Sequence, residues 1–294
     1  MKALRKVVAS KKSSKNASKV ESLSDFLDWI QSFRVETSMV PFYRGHSRKD
    51  YQLRPSLFRN KAHRKDEKNI FRELISRHPQ EFREDRNVFE QLVRMQHFSL
   101  QTRLLDLTFN PLVALYFVCN SHADLEGEFI TLVVPKERVR YFDSDTVSCL
   151  ANLSNLTGWE RDQLRKISKI NELQKSHAGK RLLQFIRAEK SYFLPEIRPD
   201  DLKSVQVVKP KQNNPRLLAQ QGAFLLFGLP SELNDDNEFE IEIHRLPVHA
   251  SSKSRLLREL DRININESTL FPEIDKAAKY IMAKLTPIGG ESEE

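Results

Sequence analysis

The 294-residue sequence predicts an α+β fold, a small sheet with many surrounding helices, on three observations. Short apolar runs, Glu128 to Val134 and Ala223 to Gly228 above all, have the length and side chains of buried strands. Longer stretches with apolar residues three and four apart, often behind Ser or Asn, outnumber those runs and read as helices. Pro111 to Cys119 is apolar nearly all round, as a helix is when it lies inside a core. No internal repeat is visible.

Taken in order, residues 1–20 are rich in Lys and Ser with little to bury, so a disordered basic tail is expected. Ser24 is expected to cap a short helix carrying Phe26, Leu27, Ile30 and Phe33 on one face. Pro41 to Gly45 reads as a brief strand ending in a turn, and Tyr51 to Phe58 as extended chain interrupted by Pro55. A charged helix is expected over Lys65 to Arg77, stopping before Pro79, and another from Asn87 to Gln96.

Asn110 and Pro111 fit the N-cap and first position of the central apolar helix. Helices are expected near Asp145–Leu153 and Gly158–His177, and a strand over Ser204–Val208. Asn214-Pro215 begins a short helix to about Gln220. Phe239, Ile241 and Ile243 alternate with acids, the pattern of a half-exposed strand. The last helices span about Ser252–Arg262 and Pro272–Ala283. These elements form one domain, 21–286, between the basic tail and an acidic disordered tail at 287–294.

No apolar run approaches the roughly 18 residues a membrane span needs, and there is no signal-peptide core, so a cytoplasmic protein is expected. Cys119 and Cys149 have no metal-ligand spacing, and Cys119 falls inside the apolar helix, as a buried reduced thiol would. The net charge is +8, but Lys2, Arg5, Lys6, Lys11, Lys12, Lys15 and Lys19 precede the first acid. A second basic stretch, Arg34 to Lys65, holds nine Lys or Arg against Glu36 and Asp50. Such charge suits a polyanion, RNA or DNA, and equally an ordinary solvated surface.

Three clusters could carry chemistry. In Phe42-Tyr43-Arg44-Gly45-His46, an arginine at a strand end is costly unless paired, and its planar fork suits a phosphate or carboxylate. The bland alternative is an ion pair of Arg44 with a core acid such as Asp106. Gln96-His97, Thr102-Arg103, Asp106, Thr108 and Asn110 place donors, an acceptor and a proton-transfer group beside the N-terminus of the apolar helix, where an anion is favoured. Arg103 and Asp106 could equally pair with each other. Gln220-Gln221 leads into an apolar strand, either as backbone hydrogen-bonding caps or as amides at a pocket mouth. P-loop, dinucleotide, zinc and nucleophile-elbow motifs are missing, and no metal is implied. Glu189, between Arg187 and Lys190, reads as a surface ion pair.

At Tyr43-Arg44-Gly45 the chain resembles the FRG-domain family, named for a Phe/Tyr-Arg-Gly motif. The resemblance extends through Met95–Phe98, Thr102–Asp106, Asn110–Phe117, Gln220–Phe224 and Thr269–Pro272, roughly Phe42 to Ile281. More distantly, the order of parts is similar to the Arg-Ser-Glu class of ADP-ribosyltransferases. That resemblance implies a fold of that type and NAD as substrate, with Arg44 on the NAD phosphates. Tyr43, Gly45, His46, Gln96, Thr102, Arg103 and Thr108 would complete the cofactor site. It also implies a Thr-bearing strand before the helix and a Gln/Glu motif at Gln220-Gln221.

This sequence has no glutamate where that class carries its catalytic one, and a carboxylate there supplies a large electrostatic term. Asp106 is the expected carboxylate, with Gln221 orienting the ribose or acceptor and His97 the third catalytic candidate. The expectation is an NAD-dependent ADP-ribosyltransferase-like protein acting on a macromolecule, RNA or DNA first. The kinds of operon such domains are expected in suggest a toxin or anti-phage defence effector with an inhibitory protein partner. The rivals are a non-catalytic nucleic-acid- or nucleotide-binding module and a metal-independent nuclease resting on His46 and His97.

Overall fold

The computed structural model describes residues 20–285, so the expected tails lie outside the described residues except for Val20. The fold is α+β. Its sheet has seven strands: β1 Met39–His46, β2 Leu104–Thr108, β3 Gly127–Pro135, β4 Val139–Tyr141, β5 Val205–Lys209, β6 Gly222–Phe227 and β7 Glu242–Val248. Their spatial order is β4-β5-β6-β2-β1-β3-β7. Only the β4–β5 pair is parallel; the other neighbours are antiparallel.

Both sheet faces are buried, which explains strands that are apolar at nearly every position. One face, through Phe42, Leu105, Leu107, Ile130, Leu132, Val207 and Leu225, packs on Leu53, Leu57 and Phe58 and on Leu233 to Ile241. The opposite face is covered by two separate groups of helices. One, which includes Val88–His97, Asp145–Ala151 and His177–Glu189, packs over Leu104, Val208, Phe224 and Leu226. The other is made of Leu23–Ser32, Pro111–Cys119 and Ala250–Arg262, over Phe129, Leu246 and Val248.

The two sets meet at β1 and β2, the weakest seam of the sheet. These strands pair at Tyr43↔Thr108 and nowhere else, whereas β1 and β3 stay in register from Met39↔Pro135 to His46↔Glu128. From Tyr43 towards His46 on β1, and from Thr108 back towards Leu104 on β2, the strands part, and a cleft opens between them.

Several expected elements shift. Ser22, not Ser24, caps the first helix, accepting from the Asp25 N–H in a reciprocal capping box. Ser56–Arg59 is a helical turn inside the stretch expected to be extended, since Pro55 is well tolerated just ahead of a helix. The expected Lys65–Arg77 helix divides into Lys61–Lys65 and Glu67–Arg77 at Asp66. The Gly158–His177 stretch ends as a helix at Lys166, and further helices cover Ile170–Lys175 and His177–Glu189. Phe239 and Ile241 are buried before β7 begins at Glu242.

The central helix runs Pro111–Cys119 as the sequence suggests, with the Asn110 Oδ1 accepting from the Leu112 N–H at 2.9 Å. It packs so closely on β1 that a Cβ at Gly45 would lie 2.1 Å from the Ala114 carbonyl oxygen. Only glycine permits that approach.

Candidate functional site

The cleft at the β1–β2 seam has a volume of about 380 Å³, within the size range of ligand sites. β1 and the following residue contribute Tyr43 to Ser47, and β2 contributes Asp106 and Thr108. The C-terminal end of the Val88–His97 helix adds Gln96 and His97, and the flank of the central helix adds Ala114 and Phe117. Arg59, Asn214, Arg216 and Gln220 close the rim.

Arg44 is the hub. Its Nη1 donates to the Asp106 carbonyl oxygen at 2.5 Å, across the seam. Its Nε donates to the His46 Nε2 at 3.0 Å. The ion pair with Asp106 considered from sequence is thus a bond to the Asp106 backbone, and the carboxylate stays exposed in the cleft. Burial draws the Arg44 pKa down to about 10, opposed by Asp106 and reinforced by Arg59, so the group stays charged at neutral pH.

An arginine Nε can only donate, so the His46 Nε2 must accept and the ring is neutral. Burial first, then the Arg44, Arg245 and Arg59 cations, push the His46 pKa down to about 2. His46 is therefore a fixed acceptor for Arg44, not a proton carrier.

On the other side, the Thr102 hydroxyl donates to the Gln96 Oε1. That bond sets the amide so that Nε2 donates to the Asp106 Oδ2 at 3.0 Å. Thr102 is buried and acts through Gln96 instead of lining the cleft. Thr108 lines it, donating to the Gln220 carbonyl at 2.7 Å and accepting from the Asn110 N–H at 2.9 Å. His97 lines it with Nε2 3.8 Å from the Glu273 Oε1. Burial and Arg216 lower its pKa against the pull of Glu273, with a smaller lowering from Arg94, so the ring is unprotonated at neutral pH. Tyr43 lines the cleft and stacks on Phe129, ring centroids 5.7 Å apart; burial raises its pKa.

Besides Thr102, two further candidates lie outside the lining. Arg103 points into the core, 1% exposed, where its Nε and Nη2 meet the Glu67 carboxylate at 2.7 and 2.6 Å. Its Nη1 donates to the Phe227 and Gly228 carbonyls. With every face of the fork engaged, Arg103 holds the fold and neither lines the cleft nor pairs with Asp106. Gln221 sits exposed in a turn with φ 46°, outside the cleft lining, while its neighbour Gln220 lines the cleft and donates to the Leu270 carbonyl at 3.0 Å. Of the two amides, the pocket takes the first.

Nor does Glu189 form a surface ion pair. It is half-buried, accepts from the Val88 N–H at 2.8 Å, and burial raises its pKa; Lys190 pairs with Asp145 instead. At the central helix N-terminus, where an anion was expected, Asn110 takes the Leu112 N–H, and the cleft meets the helix along Ala114 and Phe117.

Arg59, Arg216 and Tyr51 also line the cleft, although no motif in the sequence marks them. Arg59 stands in the basic stretch Arg34 to Lys65, and its guanidinium lies 5.7 Å from the Tyr51 ring centroid. Arg216 follows the Asn214-Pro215 start signal and covers the Phe271 ring at 4.8 Å, 3.6 Å from the Glu273 Oε1. Much of the remaining basic stretch is neutralised: Arg48 pairs with Asp50, Lys49 with Glu126 and Arg54 with Glu232. Both cysteines are buried, and burial pushes the Cys119 pKa up to about 12 and raises that of Cys149. Among the described residues, no set of His, Cys, Asp and Glu is placed to hold a metal ion, and no helix is long and apolar enough to cross a membrane.

The cleft thus lies where the sheet parts at an Arg-bearing strand, and its lining holds Arg44, Arg59 and Arg216 with one carboxylate, Asp106. Residues 40–126 match the family model of the FRG domain. The match holds β1, β2, the central helix and the Tyr43-Arg44-Gly45 motif, in agreement with the resemblance seen in the sequence. It ends at Glu126, ahead of the Gln220 and Thr269 motifs. No curated protein and no solved structure matches the chain.

Proposed function

We propose that the cleft binds NAD and transfers its ADP-ribosyl group to a macromolecular acceptor, a nucleic acid in the leading case. The observation that carries this reading is the gathering of Arg44, Arg59 and Arg216 around one lining carboxylate, Asp106. A dinucleotide brings two phosphates, flat rings and sugar hydroxyls. The guanidinium groups suit the phosphates, and Tyr43, Tyr51 and Phe117 offer faces for a ring.

In the transfer, the bond from the ribose anomeric carbon to the nicotinamide nitrogen breaks, and its electron pair leaves with that nitrogen. The carbon becomes cation-like, and the Asp106 carboxylate, oriented by Gln96, stabilises it. An acceptor nucleophile then bonds the same carbon and gives its proton to neutral His97. Such an activity suits a toxin or defence effector silenced by an inhibitory protein.

The test is transfer of label from adenylate-labelled NAD to RNA, DNA or lysate protein, with nicotinamide release followed in parallel. Label on one acceptor, lost in Arg44→Ala and Asp106→Asn while the fold persists, is the expected result. Absence of both label and nicotinamide release from folded protein overturns the reading.

The second reading is a non-catalytic nucleotide- or nucleic-acid-binding module, favoured by the excess of cations over carboxylates in the lining. Phosphate contacts alone would give binding that weakens steeply with salt and survives Asp106→Asn.

A further inference from the structure

The same cleft is lined by Ser47, which is buried and lies three positions beyond Arg44. Its Oγ lies 3.1 Å from the His122 Nδ1. In the tautomer with the His122 proton on Nε2, the serine hydroxyl donates to the ring, which is the arrangement of a nucleophile with its base. The two residues come from different parts of the chain, the end of β1 and the loop before β3.

One buried ammonium fixes both backbones. Lys253, 0% exposed, donates to the Ser47 carbonyl at 2.7 Å and the His122 carbonyl at 2.9 Å, and reaches the Ser121 carbonyl at 3.3 Å. His122 has φ 50°, in the left-handed region that few non-glycine residues adopt, and the Tyr51 ring packs edge-on against the imidazole at 6.2 Å. A left-handed residue, a buried charge and a cleft hydroxyl converge on one contact.

The geometry points to Ser47 as a self-acceptor: its Oγ takes the transferred ADP-ribosyl group, with His122 as the base. This rests on the transferase reading of the cleft. The glycosidic bond breaks with its electron pair to nicotinamide, the Ser47 Oγ bonds the anomeric carbon, and the hydroxyl proton passes to the His122 Nδ1. Neutral nicotinamide leaves, and the modified serine blocks the wall of its own cleft. Modification thereby limits further turnover.

The experiment incubates the full chain with adenylate-labelled NAD, measures released nicotinamide, and maps the label by peptide mass spectrometry. The variants are Ser47→Ala and His122→Asn; asparagine tolerates the left-handed backbone but cannot take the proton. The expected result is label on the Ser47 peptide, absent in Ser47→Ala and reduced at least about tenfold in His122→Asn. Thermal unfolding of the variants verifies the fold. Nicotinamide release with label elsewhere, or with full labelling in His122→Asn, overturns the self-acceptor alone. No nicotinamide release overturns the transferase reading and takes this inference with it.

Discussion

The Arg44 guanidinium bonds the Asp106 carbonyl at 2.5 Å where the ladder between their two strands has already ended. A side chain does there what a backbone N–H does elsewhere in the sheet, and the cleft exists because the strands have parted. The same guanidinium lines the cleft, so in the proposed reading it both spans the opening and meets what enters it.

Arg44→Lys should therefore fail although it keeps the charge, because a lysine cannot bond both Asp106 and His46 from one planar group. With inorganic pyrophosphate as the titrant, calorimetry should show affinity reduced about tenfold to about a hundredfold in Arg44→Lys or Arg44→Ala. Unchanged affinity in both would remove Arg44 from the binding site.

Arg103 makes the opposite prediction. Its fork is spent on Glu67 and two carbonyls in the core, with Arg161 approaching the same carboxylate at 3.4 Å. Removing it leaves the buried Glu67 carboxylate with only the more distant Arg161, so Arg103→Ala should destabilise the fold by about 3–5 kcal/mol in urea unfolding. A fully stable Arg103→Ala with lost ligand binding would reverse the roles of the two arginines.

Arg44 and Arg103 also show what the sequence could and could not reveal. Tyr43-Arg44-Gly45 was legible because three informative residues share one short strand, and Asn110-Pro111 because a cap and a first-turn proline act locally. Arg103 looked like a site residue because it sits among site residues. Strand β2 sends alternate side chains to opposite faces, so Leu105 and Leu107 go to one core while Asp106 faces the cleft. Pairing with Glu67, 36 positions away, is a tertiary fact no local pattern encodes. Arg216 and Gln220 reach the cleft for the same reason, through the β2–β6 pairing that brings Gly222 beside Thr108.

Gly45 should tolerate no side chain. The contacts a Cβ would meet, the Ala114 carbonyl at 2.1 Å and the Val118 nitrogen at 2.6 Å, are helix backbone that cannot rotate away. Gly45→Ala should cost at least about 1–3 kcal/mol and widen the seam. Gly222→Ala is the comparison: its nearest contact is the Leu217 Cδ2 at 3.0 Å, a side chain that can move. Equal melting temperatures for the two variants would show that the central helix does not press on β1 at Gly45.

His46 gives the fold a pH dependence whose sign follows from its depressed pKa of about 2. An unfolded chain takes up a proton at this position near the ordinary histidine value of about 6.5, while the folded chain does not. Below that value the unfolded state binds the extra proton, so stability falls as pH falls, by up to about 1.4 kcal/mol per pH unit. His46→Gln removes the titration yet leaves an amide oxygen to accept from the Arg44 Nε. Between about pH 6 and about pH 4, the slope of unfolding free energy against pH should be shallower in this variant by close to one proton's worth. Comparing slopes, not absolute stabilities, cancels the carboxylates that titrate in the same range. An identical slope would mean that His46 protonates in the folded protein, which would break its bond to Arg44 and undo the assignment of that ring as a neutral acceptor.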